Sequence, residues 1–155
     1  MVKSAIVVGG GINGMCIARA LAKASWRVTL LDKSSLGQAT SANSSRLLHG
    51  GLRYLEYGQI RFVWEALEQR ANWLRQYPEH VRVIEKFVPC YKGSGRAPWQ
   101  VWLGVKLYNL LAGRSSLGPS RWWSSSQVAL QMPSLKADHC IGAVSYFDLM
   151  MEDPA

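Results

Sequence analysis

The chain has 155 residues, 48% of them hydrophobic and 18% charged, with a formal net charge of +8. This length supports one domain with a real core, and the composition excludes a disordered polyampholyte. The positive charge favours anionic ligands such as phosphates or lipid head groups; the basic residues are dispersed and no nucleic-acid-binding motif accompanies them, which argues against nucleic acid.

The chain opens on Ala5-Ile6-Val7-Val8, a β-branched run that reads as a buried strand. Met15 to Ala24 is rich in Ala and Leu and reads as a helix. Between them lies Gly9-Gly10-Gly11-Ile12-Asn13-Gly14, a GxGxxG turn from strand into helix. In that setting Gly9 permits the tight turn, Gly11 lets a pyrophosphate approach the backbone, and Gly14 lets the helix pack close to the strand. The helix N-terminus then faces the phosphates with free N–H groups, Asn13 among them. Trp26 to Leu31 reads as a second strand, and it ends in Asp32. That acid follows Gly9 at close to the spacing, about 20 residues, of a carboxylate that binds a ribose hydroxyl. Strand, glycine turn, helix, strand and acid in this order predict a Rossmann-like α/β dinucleotide unit.

Lys33 to Ser45 is a hydroxyl-dense loop containing Thr40, Ser41, Ser44 and Ser45. After a dinucleotide unit, such a loop can donate hydrogen bonds to a cofactor. It leads into Arg46-Leu47-Leu48-His49-Gly50-Gly51-Leu52-Arg53-Tyr54-Leu55. Gly50-Gly51 permits close backbone approach, Arg53 offers a planar fork for a phosphate or carboxylate, and His49 can carry a proton or be structural. Tyr54 can donate to a substrate oxygen or simply pack.

Gln59 to Tyr77 keeps a helical apolar face of Ile60, Val63, Trp64, Leu67, Ala71 and Leu74, and Pro78 stops it. That stripe is expected to be core. Val81 to Tyr91 reads as a strand with Pro89 at an edge or bend. Lys92 to Gly95 is a loop. Pro98 to Ala112 reads as an aromatic-rich helix that Gly113 terminates. With Arg96, Lys106 and Arg114 around it, this helix fits a membrane interface and a buried packing position equally well. Gly113 to Ser126 is Ser-rich and irregular, Gln127 to Leu135 is a short helical piece, and Ile141 to Phe147 is a strand with Asp148 after it. Cys16, Cys90 and Cys140 show no metal spacing and read as buried reduced thiols, which points to a reducing compartment. Nothing before the first strand resembles a signal peptide, and no apolar run is long enough to span a membrane.

From Thr40 to Glu56 the sequence resembles the flavin-dependent, respiratory glycerol-3-phosphate dehydrogenases. The carrying motifs are the Gly9–Gly14 turn and Thr40-Ser41-x-x-Ser44-Ser45-Arg46-Leu47-Leu48-His49-Gly50-Gly51-Leu52-Arg53-Tyr54-Leu55-Glu56. The likeness continues through Phe62-Val63-Trp64-Glu65-Ala66-Leu67, Tyr108-Asn109-Leu110-Leu111-Ala112-Gly113 and Gly142-Ala143-Val144-x-Tyr146-x-Asp148. Arg46 stands where Lys is common, and Glu152-Asp153-Pro154 where Asp-Asp-Ala is common and opens a helix. The family is several times longer, so the resemblance makes this chain its N-terminal portion. It divides the chain into a dinucleotide unit with flavin-lining loop, residues 1–58, and the start of the remaining FAD and substrate domain, residues 59–155.

The resemblance implies FAD as cofactor and oxidation of sn-glycerol 3-phosphate to dihydroxyacetone phosphate, with electrons passed to quinone at the cytoplasmic membrane. It puts Gly9, Gly11, Asn13 and Gly14 at the pyrophosphate, Asp32 at the adenosine ribose, and Thr40, Ser41, Ser44, Ser45 and Arg46 along the path to the flavin. His49 and Gly50 fall near the flavin ring, and Arg53 and Tyr54 at the substrate phosphate. The catalytic base falls in later segments of the family, with His49 the candidate within this chain. A bacterial setting, peripheral membrane attachment and a homodimer of the longer form are further implications. Competing readings are another FAD-dependent amino-acid or hydroxy-acid oxidoreductase, a non-catalytic nucleotide-binding fragment, and a plain NAD-binding domain.

Overall fold

The computed structural model describes residues 2–93, 95–135 and 138–152. The chain forms two compact units, one within Met1–Arg46 and the other Leu47–Glu152.

The first unit is strand β1 (Ser4–Val8), helix α1 (Ile12–Lys23) and strand β2 (Arg27–Leu31). β1 and β2 pair in parallel, from Ser4 opposite Arg27 to Val8 opposite Leu31. This is the βα-β unit expected from the sequence, with α1 beginning three residues earlier, at Ile12. The expectation that β1 is buried is corrected: exposure alternates along it, and Ile6 and Val8 are 69% and 83% exposed. Strand side chains alternate in direction, so a two-stranded sheet carrying one helix covers Ala5 and Val7 and leaves Ile6 and Val8 in solvent. Residues 33–45 form turns.

The second unit is built on one long strand. It contains β3 (Leu47–Leu48), a 3-10 turn (Leu52–Tyr57), α2 (Ile60–Gln76), β4 (Val81–Tyr91), α3 (Pro98–Ala112), β5 (Arg121–Ser124), α4 (Ser125–Gln131) and β6 (Cys140–Met151). β6 pairs antiparallel with β4 along almost its whole length, and with β3 and β5 at different heights. β4 lies at the sheet edge, which accommodates Pro89 and its missing N–H within the strand. Even-numbered residues of β6 share one face, and there Val144 and Tyr146 join Val63 and Leu67 of α2 and Val105, Tyr108 and Ala112 of α3 in the core.

Several details differ from the sequence reading. β5 falls in a segment read as irregular: the pairing of Trp122 with Val144 recruits a short aromatic run that has no alternation of its own. Asp148 lies inside β6, not after it, and is 1% exposed. The core stripe of α2 is narrower than expected, because Ile60 and Trp64 are each 48% exposed whereas Arg70 is 3% exposed. Cys16 is exposed rather than buried, since α1 is covered on one side only; all three thiols are free. α3 buries Val105, Tyr108 and Ala112 while Trp99, Leu103 and Leu110 remain exposed. No described helix is long and apolar enough to cross a membrane. Ser94 of the Lys92–Gly95 loop, and Asp153 and Pro154 of the expected helix start, lie outside the described residues.

Candidate cofactor and substrate site

In the first unit the glycine turn has the geometry its sequence demands. Gly9 has φ +104°, a conformation costly for any side chain, and its N–H donates to the Leu31 carbonyl at 2.7 Å. A Cβ on Gly14 would collide with the Gly9 carbonyl oxygen, so only glycine lets α1 begin against the end of β1. Gly11 is the N-cap residue. The N–H groups of the first helical turn have no carbonyl behind them, which leaves an anion-attracting end. Ser41 Oγ accepts the Ile12 N–H at 2.9 Å, so the hydroxyl loop is fastened to the start of the helix.

Asp32 sits at the same turn. Its Oδ2 accepts the Gly10 N–H, and its Oδ1 accepts the Ser34 N–H at 2.8 Å and the Ser34 hydroxyl at 3.1 Å. The Gly10 bond, then the Ser34 bonds, hold its carboxyl below the usual carboxylate range. Gly10 O in turn accepts the Gly37 N–H at 2.9 Å, which folds the following loop onto the glycines. The unit thus brings Gly9, Gly11, Asn13, Gly14, Asp32 and Ser41 together. Thr40, Ser44, Ser45 and Arg46 are exposed on the same loop; Ser44 Oγ accepts the Arg46 N–H at 3.2 Å, and Arg46 has φ +57°. These residues fit a dinucleotide: the cradle is one that a Cβ would fill, and the acid lies beside the helix end.

In the second unit His49, Arg53 and Tyr54 line one cavity of about 1180 Å³, together with Lys86, Trp99 and Tyr146. Gly50, between the lining residues His49 and Gly51, is buried. The Gly50 N–H donates to Tyr108 Oη at 2.7 Å, and a Cβ there would meet that oxygen at 2.8 Å and Leu67. Tyr108 donates its own proton to Asp148 Oδ1 at 2.7 Å, and Arg70 Nη1 donates to the same oxygen at 2.8 Å. Arg70 also donates to the Phe147 and Ser115 carbonyls, at 3.2 and 3.0 Å. Burial, and then the Asp148 carboxylate, push the Tyr108 phenol well above its usual range, so it stays a neutral donor. At the cavity mouth Arg96 pairs with Glu56 at 2.6 Å.

The Arg70–Asp148–Tyr108 cluster and Lys86 were not singled out from the sequence. One signal was available: Arg70 stands three residues after Leu67 and seven after Val63, on the apolar face of α2, where a cation needs a buried partner. Nothing local to Asp148 identifies that partner, because it is 78 residues away.

The model of the family described as FAD dependent oxidoreductase matches residues 4–155. Among curated proteins, a glycerol-3-phosphate dehydrogenase of Synechocystis sp. is 36% identical over 147 residues, covering 95% of this chain and 27% of that protein. A D-erythritol 1-phosphate dehydrogenase of Brucella abortus is 44% identical over 115 residues, covering 74% of this chain and 23% of that protein. The chain therefore spans about a quarter of the length of these relatives. Among solved structures, the L-alpha-glycerophosphate oxidase of Mycoplasma pneumoniae with FAD bound superposes with a TM-score of 0.69 at 19% identity, covering 98% of this chain and 39% of that one. That likeness supports the α/β fold expected from the sequence. The chain belongs to the FAD dependent oxidoreductase family.

Proposed function

We propose that this chain supplies the FAD cradle and part of the substrate wall of a dehydrogenase that oxidises sn-glycerol 3-phosphate to dihydroxyacetone phosphate. The observation that carries the reading is the Gly9–Gly14 turn, where α1 starts against the Gly9 carbonyl with Asp32 fastened beside it. The curated similarity to glycerol-3-phosphate dehydrogenases supports the substrate class.

Bound FAD supplies the two-electron acceptor for the hydrogen on the carbinol carbon. The chain's residues bind and orient. The amides around Gly9, Gly11, Asn13 and Gly14 would hold the pyrophosphate, and Asp32 would accept from the adenosine ribose. Thr40, Ser41, Ser44, Ser45 and Arg46 would line the path to the ring system, with His49 and Gly50 near it. Arg53 grips the substrate phosphate through its fork, and Tyr54 donates to the same group. His49 is the chain's candidate for accepting the hydroxyl proton. Quinone at the cytoplasmic membrane would take up the electrons, the exposed Leu110 of α3 would supply interfacial contact, and the longer form would pair as a homodimer.

A second reading, a longer polyol phosphate as substrate, is favoured by the 44% identity to a D-erythritol 1-phosphate dehydrogenase. The test is a visible spectrum of the protein loaded with FAD. Bleaching by glycerol 3-phosphate, absent with unphosphorylated glycerol and weakened in Arg53→Met, is expected. Bleaching by erythritol 1-phosphate alone selects the second reading. A protein that cannot be loaded with flavin overturns both.

A further inference from the structure

The cavity of the second unit carries more positive charge than its own carboxylates balance. Lys86 points into it from β4, directly opposite Tyr146 of β6, with its ammonium 5.6 Å from that ring's centroid. Its side chain is 27% exposed, so the cation is partly desolvated and held in place, unlike a lysine free in solvent. The carboxylate it faces is Asp148, with Nζ 3.8 Å from Oδ2, beyond hydrogen-bond length. Asp148 already serves Arg70 and Tyr108 through Oδ1. Two cations, Arg70 and Lys86, therefore share one carboxylate. The second carboxylate of the region, Glu56, is taken by Arg96. Among the described residues no ion pair involves Arg53, which lines the same cavity.

Along the cavity wall itself Arg53, Lys86 and Arg96 stand against Glu56, an excess of two positive charges, while Asp148, outside the lining, is matched by Arg70. A phosphate monoester carries about −1.5 to −2 at neutral pH. We infer that Lys86 is an anion-binding residue of this cavity, which together with Arg53 takes the phosphate monoester of the substrate. The inference rests on the cavity being the substrate site of the proposed reaction, and it extends that site across the sheet to β4. Asp148 and the Tyr146 ring orient the ammonium; the missing charge arrives with the ligand. Lysine suits this place because a compact ammonium meets a phosphate oxygen without the in-plane geometry that a guanidinium requires.

The test is calorimetric titration of the FAD-loaded protein with sn-glycerol 3-phosphate and, separately, with inorganic phosphate. Wild type is compared with Lys86→Met, whose side chain still covers Tyr146, and with Lys86→Gln as a second neutral variant should the first fail to fold. Each neutral variant is expected to weaken both ligands about 10- to 100-fold, the usual loss of a charge-assisted contact, with flavin content and circular dichroism unchanged. Unchanged affinity for both ligands in a folded neutral variant overturns the inference, as does a wild type that binds neither. Lys86-dependent binding of inorganic phosphate, without bleaching by glycerol 3-phosphate, leaves Lys86 as an anion site and removes the proposed reaction instead.

Discussion

Tyr108 and Asp148, 40 residues apart, share one buried hydrogen bond of 2.7 Å that ties α3 to β6 beneath the Gly50 backbone. The phenol is both donor and acceptor, so its removal orphans two groups at once. Tyr108→Phe leaves the Gly50 N–H unpaired and Asp148 with one donor fewer. The expected loss is about 1–3 kcal/mol of stability, read from urea midpoints. Asp148→Ala strips Arg70 of its counter-charge in a site that is 3% exposed, and is expected to cost about 3–5 kcal/mol. Equal stability of Tyr108→Phe and wild type would show that the Gly50 contact carries no energy.

The same phenol sets an alkaline limit. Burial, with the nearby Asp148 carboxylate, raises the ionisation of both Tyr108 and Tyr146 above the ordinary phenol range. A raised folded-state value stabilises below the unfolded value, about pH 10, and that stabilisation is lost as pH climbs beyond it. Urea midpoints should therefore hold up to about pH 9 and fall above about pH 10. The fall should be shallower in Tyr108→Phe; an identical slope in the two proteins would refute the assignment.

Gly14→Ala tests the cofactor cradle. The added methyl runs into the Gly9 carbonyl oxygen, backbone that cannot rotate away, so α1 must lift from the end of β1. The expected outcome is a destabilisation of about 1–3 kcal/mol and loss of stable flavin loading. Fluorescence titration with FAD measures the second effect. Full loading of the variant would show that the helix can move without disturbing the dinucleotide site.

α3 makes a separable prediction. Trp99 and Leu110 are 65% and 75% exposed, and Lys106 lies over the Trp102 ring. Leu110→Ser, outside the cavity lining, should reduce co-sedimentation with anionic vesicles while leaving the melting temperature within a few degrees, because the side chain does not belong to the core. Unchanged vesicle binding would remove α3 as the contact surface.

What the sequence determined by itself was whatever local chemistry encodes. The Gly9–Gly14 turn was legible because its glycines answer local steric demands, and Asp32 because a fixed strand length carries it back to the turn. α2 and α3 were legible because Pro78, Pro98 and Gly113 punctuate periodic runs, and Thr40–Tyr54 because its residue types form one continuous motif. Tertiary structure alone decided the rest. β5 exists because β6 offers it an edge, and Asp148 became a buried hub because the sheet brings it under Tyr108 and Arg70, side chains 40 and 78 residues earlier on two helices. The charge excess at Lys86 is likewise a sum over β4, the Leu52–Tyr57 turn and Arg96 ahead of α3. Periodicity and motifs report neighbours along the chain, whereas the partner of a buried charge is set by which strands pair.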